Sequence, residues 1–588
     1  MSTHKKYPTG KKTSGHIDSA KYVSSDKKHG VLTEKSLNQD FSDLEFVGRL
    51  QQTGMLGRDK NGDFVVFIRH PWWVPVRQTD KSISYGASGK QTSEHLMYVL
   101  GRKYGKRAED IALEVTQALK TGNEIPYGAL SVGKEHEAIA HDIMTGSIEE
   151  LDAHEQFEFQ AGIHEDALPP FETLQGAFAA RIEQLSQRER NHPGLMLMDT
   201  SAPLAGSPND AGMQLNNGEG GAYIRPWSEH LKQYLVLSDP KILSILNVIA
   251  KSHGHQDYKS LMRDKGFQVL WPSVACQTSI GMPHISSGKG ELTIPLEIAI
   301  ATADIFNSHL GIVADMLMAS SPFVFGVAPM RLRDYRMALR NIFAGALPSP
   351  FIKSVNNLQQ RWEYGGVHGM LYTLDRLSYQ TKRRGHEPHA MIYGSARVRV
   401  ETKDKNLQLG RVENTIAGSS PSLLDEIAHD TFIYLLSVAA LDAVAHGQMP
   451  AAFFGRFFPH SSQWRRRKVL TDHFNRQGAQ HPQVDGVLQD ALGLLTYLRN
   501  EYPSLHAMIT FVIARICNLQ SSPQPSLAAY QKAPIGPISE VMMTMHDKGI
   551  RPLEIMKEAY KYQHYVAKEI QPMARSDRFF ELLNKRFV

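Results

Sequence analysis

The fold of this chain is decided by two short segments, SVGKEHEA (residues 131–138) and QFEFQAG (residues 156–162). Their polar and apolar residues alternate with period two, which predicts two β-strands. Glu135 and Glu137 then share one face of the first strand, and Glu158 lies on the polar face of the second. Three unpaired carboxylates on one surface repel one another, so a hard divalent cation such as Mg²⁺ would suit them. The alternative interpretation is a solvated strand face with ordinary salt bridges.

The composition is that of an ordinary folded protein. The 588 residues are 42% hydrophobic and 21% charged. No apolar run reaches the ~18 residues needed to cross a bilayer, and residues 1–30 lack the apolar core of a signal peptide. Because the two cysteines are Cys276 and Cys517, neither a disulfide framework nor a cysteine-based zinc site is expected. These features predict a cytoplasmic protein that has no membrane partner.

The net charge of +5 comes entirely from residues 1–35. They contain eight lysines and three acidic residues, whereas the remainder of the chain is balanced. A nucleic-acid partner is therefore not expected for the body of the protein. Since this segment is rich in Lys, Ser, Thr, Gly and His, it is predicted to be a disordered basic tail.

Residues 36–125 are predicted to form an N-terminal α/β addition. The segment DFVVFI (residues 63–68) predicts a strand, because it is apolar and follows an Asn-Gly turn signal. Helices are predicted for residues 93–104 and 107–119, the second from its apolar stripe.

Later segments predict further helices and a hairpin. Apolar stripes indicate helices over residues 171–190 and 295–318, and strands are predicted at residues 267–270 and in a hairpin over residues 391–416. From Pro421 onward the pattern is helical, and this α-helical region is a candidate surface for a homo-oligomer. Its predicted helices cover residues 423–445, 484–500, 505–519 and 552–568.

A cationic segment follows the predicted helix of residues 295–318. The helix ends in ASSPF (residues 319–323), and residues 331–351 then carry four arginines, including Arg336 and Arg340. Arginine at such a turn suits bidentate binding of phosphate or carboxylate. The alternative is a solvated helix face.

The order of these motifs resembles that of the glutamate–cysteine ligases and, more broadly, of the carboxylate–amine ligases that share the glutamine synthetase fold. The segments GKEHE (133–137), QFE (156–158) and RVE (411–413) are similar to the family's Gly-x-Glu-x-Glu, Gln-Phe-Glu and late Arg-x-Glu strands. The helix end ASSPF, then DYR (334–336), then LPSPF (347–351) follow the order of the family's Ser-Ser-Pro-Phe turn, Arg-bearing segment and Pro-rich turn.

The resemblance implies an α+β fold with an antiparallel, funnel-like sheet of the glutamine synthetase type backed by helices. Residues 126–420 would be the catalytic core and residues 421–588 an α-helical C-terminal region. ATP and Mg²⁺ would be the cofactors, and an amino acid and an amine the small-molecule substrates of an amide-forming, γ-glutamyl-type reaction. The motifs carry over metal ligands (Glu135, Glu137, Glu158 and Glu413), catalytic clamps (Arg336 and Arg411) and nucleotide-side residues (Gln277, Ser279 and Arg340).

Two positions depart from the family pattern. Ser279 stands where the family often has histidine, and Ala338 stands where a second arginine is expected, with Arg340 as a substitute. These departures leave two alternatives open. One is a catalytically inactive binding or scaffold protein with the same fold, and the other is a ligase that acts on a protein or peptide.

Overall fold

The structure is a computed structural model, and it describes the residues in the following ranges. They are residues 56–58, 64–69, 75–77, 83–85, 95–99, 108–142, 156–161, 173–191, 195–198, 247–260, 276–286, 292–306, 313–314, 317, 396–403, 406–414, 420–446, 482–519 and 524–588. The basic tail, the predicted strand at 267–270 and the cationic segment with Arg336 and Arg340 lie outside them, so these predictions remain predictions.

The strands of the described residues form three sheets. In chain order they are β1 (Leu56–Arg58), β2 (Phe64–Arg69), β3 (Pro75–Arg77), β4 (Ile83–Tyr85), β5 (His95–Val99), β6 (Val132–Asp142), β7 (Gln156–Ala161), β8 (Leu195–Met198), β9 (Cys276–Gly281), β10 (Ile285–Ser286), β11 (Leu292–Pro295), β12 (Ala396–Lys403) and β13 (Asn406–Asn414). The largest sheet has the order β12-β13-β9-β6-β7, and all its pairs are antiparallel. Strand β8 pairs with the later half of β6, beyond the end of β9.

The second sheet has the order β1-β2-β5-β11-β10 and corrects one prediction. The helix predicted for residues 93–104 is wrong, because residues 95–99 form strand β5. This strand pairs antiparallel with β2 and parallel with β11. A short apolar run such as HLMYV fits a helical and an extended pattern equally well. Pairing with the edges of β2 and β11 on its two sides selects the extended conformation. The β5–β11 pairing also joins the predicted N-terminal addition to the predicted core.

The helices of the described residues were mostly predicted from their apolar stripes. In chain order they are α1 (Ala108–Thr121), α2 (Leu174–Asn191), α3 (Leu296–Phe306), α4 (Leu423–Ala445), α5 (Pro482–Glu501), α6 (His506–Cys517), α7 (Leu527–Lys532), α8 (Ile538–Asp547), α9 (Pro552–Ile570) and α10 (Phe579–Phe587). Helix α3 confirms the first part of the helix predicted over residues 295–318. Helices α7, α8 and α10 were not predicted.

Helix α4 is the centre of the molecule. Ser422 caps its N-terminus by accepting a hydrogen bond from the Asp425 amide, and every residue from Leu423 to Val444 is buried. Helices α1, α3 and α6 pack against it, and the large sheet covers another side. The helix is therefore enclosed by the rest of the protein on all sides.

Among the described residues, α4 is the one helix that is long and apolar enough to cross a membrane. This apolar stretch is buried inside the protein over its whole length. Because the central helix of a packed core passes the same test, this is weak support for a membrane span. The observed architecture is α+β, as predicted, whereas the funnel-like glutamine synthetase type and the division into four parts remain predictions.

Candidate functional site

The register of the large sheet brings the predicted site residues together. Strands β6 and β7 place Glu137 opposite Glu158, and strands β6 and β9 place Glu135 opposite Gln277. Strand β13 then places Glu413 opposite Ser279. The central strand β9 therefore lies between the two acidic strands β6 and β13, although it is remote from both in the sequence.

These positions share one face of the sheet. Directly opposed residues of an antiparallel pair lie on the same face, and so do alternate residues of one strand. Arg411, opposite Gly281, belongs to the same set. We call this surface the polar face. The predicted site residues on it are Glu135, Glu137, Glu158, Gln277, Ser279, Arg411 and Glu413, and Arg397 and Arg399 of β12 join them opposite Glu413 and Arg411.

Two small residues hold neighbouring backbone close at one end of the polar face. Leu130 donates its amide to the Gly281 carbonyl, and the Gly281 amide donates to the Ser131 carbonyl at 2.7 Å. A Cβ atom at Gly281 would lie 2.0 Å from Ser131 Oγ and 3.2 Å from the Gly128 carbonyl oxygen, so a larger residue there requires the Ser131 side chain to turn away and the neighbouring backbone to shift slightly. The preceding turn places Tyr127 and Leu130 at φ values of 65° and 61°. Such left-handed conformations are strained in residues with side chains, and functional sites are a common place for them.

The opposite face of the sheet packs onto helix α4. We call it the packed face, and its described members are all buried. They are Val132, Lys134, Thr278, Ile280, Val412 and Asn414. Most of the interface is apolar, but Lys134 and Thr278 bring polar atoms to the centre of it.

Lys134 is the middle of a buried ionic network. Its Nζ lies 2.5 Å from Glu426 Oε1 and also donates to Asp430 Oδ2. From helix α2, Arg181 Nε lies 3.3 Å from both carboxylate oxygens of Glu426. We call these residues, with Thr278, the Lys134 cluster.

Asp430 joins two strands of the sheet to helix α4. Thr278 Oγ1 donates to Asp430 Oδ1 at 2.5 Å, while Lys134 binds the other oxygen. Lys134 and Thr278 are themselves directly opposed in the β6–β9 register. One carboxylate therefore contacts a matched pair of residues on neighbouring strands.

The charges within the Lys134 cluster compensate one another. Two cations, Lys134 and Arg181, lie against two carboxylates, Glu426 and Asp430. Burial alone would raise the pKa of Asp430, but the adjacent Lys134 ammonium and the His429 ring, whose Nδ1 lies 3.2 Å from Asp430 Oδ1, together outweigh it and hold that pKa below its ordinary value. Asp430 is therefore ionised, which agrees with its contacts to Lys134, Thr278 and the His429 ring.

Helix α4 carries other buried carboxylates away from the sheet. Arg515 donates to Asp425 Oδ1 and, with its other nitrogen, to the Pro534 carbonyl at 2.5 Å. Asp425 Oδ2 accepts from the Ile538 amide at 3.1 Å. Near the end of the helix, Asp442 accepts hydrogen bonds from two tyrosine hydroxyls. These contacts attach α4 to the C-terminal helices.

The structure describes the positions of some predicted site residues and not of others. The backbone of β6, β7, β9 and β13 confirms that Glu135, Glu137 and Glu158 share a face and adds Gln277, Ser279, Arg411 and Glu413. Ser279 is buried. Arg336 and Arg340 lie outside the described residues, as do the side chains of the four glutamates. Their roles as ligands and clamps remain predictions.

A divalent metal suits the donor set of the polar face. The described side chains contain no group of three or more His, Cys, Asp or Glu arranged to hold a metal ion. The polar face, by contrast, has four glutamate positions, two of which are directly opposed. Opposed carboxylates repel one another, and oxygen-rich acidic sets are what Mg²⁺ prefers.

The Lys134 cluster was missed by the sequence analysis. Its signal was present in two places. A lysine occupies an inward position of β6, and the mostly apolar helix α4 carries four acidic residues, Asp425, Glu426, Asp430 and Asp442. Charged residues are rarely buried unless they are paired, so the two anomalies together indicate a buried ion network.

Comparisons with known proteins give distant structural similarities. No protein-family model matches the sequence, and no curated protein matches it significantly. A bifunctional glutathione synthetase from Pasteurella multocida is similar at 14% identity and a TM-score of 0.42, over 78% of this chain and 54% of that one. A glutamate–cysteine ligase from Francisella tularensis, solved in complex with AMP, is similar at 11% identity and a TM-score of 0.35, over 78% of this chain and 99% of that one. The chain thus spans about half the length of the synthetase, and at these TM-scores neither similarity establishes a shared fold or activity.

Proposed function

We propose that the chain is an ATP- and Mg²⁺-dependent carboxylate–amine ligase that forms a γ-glutamyl-type amide bond. The observation that supports this proposal is the register of the large sheet. It places seven predicted site residues from four separate segments of the sequence on one face, although nothing in their sequence spacing requires those strands to be neighbours. A strand face that is merely solvated would not require predicted site residues from separate segments to lie together.

The proposed reaction has two steps. A substrate carboxylate takes the terminal phosphoryl group of ATP and becomes an acyl phosphate, and the amine then attacks the acyl carbon and expels phosphate. Both steps place several negative oxygens close together, so cationic groups and metal must surround them. Mg²⁺, when bound, would neutralise the phosphate oxygens, and Glu135, Glu137, Glu158 and Glu413 would hold it.

Arg411 has the role of a phosphoryl clamp in this proposal. It shares a strand face with Glu413, two residues along β13, so a guanidinium and a metal ligand lie side by side. A planar guanidinium binds two phosphate oxygens at once, which a lysine ammonium cannot do. Gln277 and Ser279, on the adjacent strand, would line the nucleotide side, with Arg336 and Arg340 as further cations.

Further parts of the proposal follow from the same assignment. The substrates would be a small amino acid and an amine, the protein would act in the cytoplasm, and the C-terminal helices would form any homo-oligomer. The second candidate is a binding or scaffold protein that keeps the polar face without turnover, and it is favoured by serine and alanine at positions 279 and 338. The third is a ligase whose substrate is a protein or peptide.

The test is MgATP binding and ADP release with a panel of amino acids and amines. Removing a residue that hydrogen-bonds to a metal ligand typically weakens metal affinity about 10–100-fold. We expect Glu158→Gln, which changes a proposed ligand itself, to weaken MgATP binding at least as much. We expect Arg411→Lys to keep binding but to lose about 10³-fold in turnover. Glu558→Gln, on the exposed surface of α9, is the matched control and should change neither.

Three outcomes separate the candidates. ADP release that needs one amino acid and one amine supports the ligase. MgATP binding without turnover, across the whole panel and added peptides, supports the scaffold. If the parent protein does not bind MgATP at all, or if Glu158→Gln binds it as tightly as the parent, the proposed site is wrong.

A further inference from the structure

We propose that the Lys134 cluster positions the polar face, so that Lys134, Thr278 and Asp430 act on the site through the backbone of β6 and β9. This inference rests on the proposed function for its catalytic meaning. Its structural content is independent of it. None of these residues touches the reactants in the proposal, so they are positioning residues and not catalytic ones.

The first argument is alternation along the strands. Lys134 lies between Gly133 and Glu135, and Thr278 lies between Gln277 and Ser279. Since successive residues of a strand face opposite sides, each residue of the cluster is bonded directly to polar-face residues. A displacement of the Lys134 backbone therefore displaces Glu135 as well.

The second argument is the shape of the contact with Asp430. Lys134 and Thr278 are opposed in the register, and they donate to different oxygens of the same carboxylate. Two directional hydrogen bonds to one helix fix the distance between the sheet and α4. They also fix the register in which β6 pairs with β9. Apolar packing alone is non-directional and gives no such definition.

The third argument concerns stability. Removing two ions from water is costly, and replacing a buried ion pair by apolar residues of similar volume is often neutral or stabilising. The cluster therefore gives the protein little stability that methionine and leucine would not give. A slip of the pairing by one residue would bring Glu135 onto α4 and Lys134 onto the polar face, and the cluster opposes that slip.

The same helix offers a matched control. Asp425 of α4 and Arg515 of α6 form a second buried pair, and the contacts that the structure describes for it join α4 to the C-terminal region. Both pairs lie at side-chain exposures of 4% or less. Removing either pair takes one cation and one anion from a buried site, so the two changes are alike in charge and burial.

The experiment compares two double variants of the full-length protein, Lys134→Met/Asp430→Leu and Asp425→Leu/Arg515→Met. The first leaves Arg181 and Glu426 as a balanced pair, which favours folding. We expect it to weaken MgATP binding about 10–100-fold in calorimetry, the range seen when groups supporting metal ligands are removed. We expect the second to leave that affinity within about threefold of the parent, whatever its melting temperature.

Amide hydrogen exchange supplies the readout that does not depend on nucleotide. We expect faster exchange in residues 132–136 and 276–281 of the Lys134→Met/Asp430→Leu protein, and unchanged exchange there in the control. Unchanged exchange in those strands overturns the inference, and so does faster exchange with an unchanged MgATP affinity. If the parent itself fails to bind MgATP, the proposed function fails, and the exchange result alone decides whether the cluster orders the strands.

Discussion

The two faces of the large sheet are built by the same strands from different residue types. The packed face is buried against α4 and carries Val132, Ile280 and Val412 around one ionic cluster. The polar face carries four glutamates and three arginines at the alternate positions. The difference shows that alternation assigns packing to one half of each strand and chemistry to the other. A substitution on the packed face should therefore affect stability, and one on the polar face should affect ligand binding.

The largest expected effect on stability is on the packed face. Asp430→Ala leaves the Lys134 ammonium buried beside one carboxylate that Arg181 already shares. Breaking a buried pair by removing one partner costs about 3–5 kcal/mol, because the remaining charge is uncompensated. Urea unfolding of parent and variant measures the difference, provided that the m-value is unchanged. Glu558→Ala, which removes an exposed partner of Lys561, is the control and should leave the midpoint unchanged. Equal midpoints for both variants would contradict the prediction.

Acid should reduce the same contribution. Although burial and the nearby Glu426 carboxylate raise the pKa of Asp430, the Lys134 ammonium and the His429 ring together hold it below its ordinary value of 3.8. A carboxyl group whose pKa is lower in the folded than in the unfolded state stabilises the protein above the unfolded-state pKa, and this stabilisation is lost as the pH falls through the folded-state pKa. The stability difference between the parent and Asp430→Asn should thus be constant from pH 7 to about pH 5 and shrink below pH 3.8. A difference that grows in acid would show that Asp430 is protonated at neutral pH.

The smallest effect on stability is expected on the polar face. Glu137 and Glu158 are directly opposed, and like charges at such positions destabilise a sheet. Without metal, Glu137→Gln should leave stability unchanged or raise it by about 0.2–1 kcal/mol. Added Mg²⁺ should then raise the melting temperature of the parent more than that of the variant. A clear loss of stability in the absence of Mg²⁺ would place Glu137 among structural residues.

The local residue pattern was sufficient to predict most of the helices and strands and the acidic residues that share the polar face. Period-two alternation predicted β6 and β7, and apolar spacing predicted α4 with the bounds that the structure shows. It failed at residues 95–99, where the partners β2 and β11 decide the conformation. The local pattern also missed helices α7, α8 and α10. These helices are too short to show a clear apolar repeat.

Long-range pairing is what the pattern could not supply. The position of β9 between β6 and β13 makes the polar face, and no local signal reports which strands are neighbours. The same holds for Lys134, whose partners lie on a helix formed by a much later part of the chain. Its inward position in β6 is visible in the sequence, but the identity of its counter-ions is a property of the fold.

The order of synthesis gives the Lys134 cluster a further consequence. Lys134 leaves the ribosome long before Glu426 and Asp430, because the chain is made from its N-terminus. Until α4 emerges, the packed face would have to enclose an ammonium ion without a counter-charge, which is strongly unfavourable. The nascent strands β6 and β9 therefore cannot settle into a closed core on their own. Final assembly of the sheet waits for α4, and the proposed site is completed only after residues 423–445 have been made.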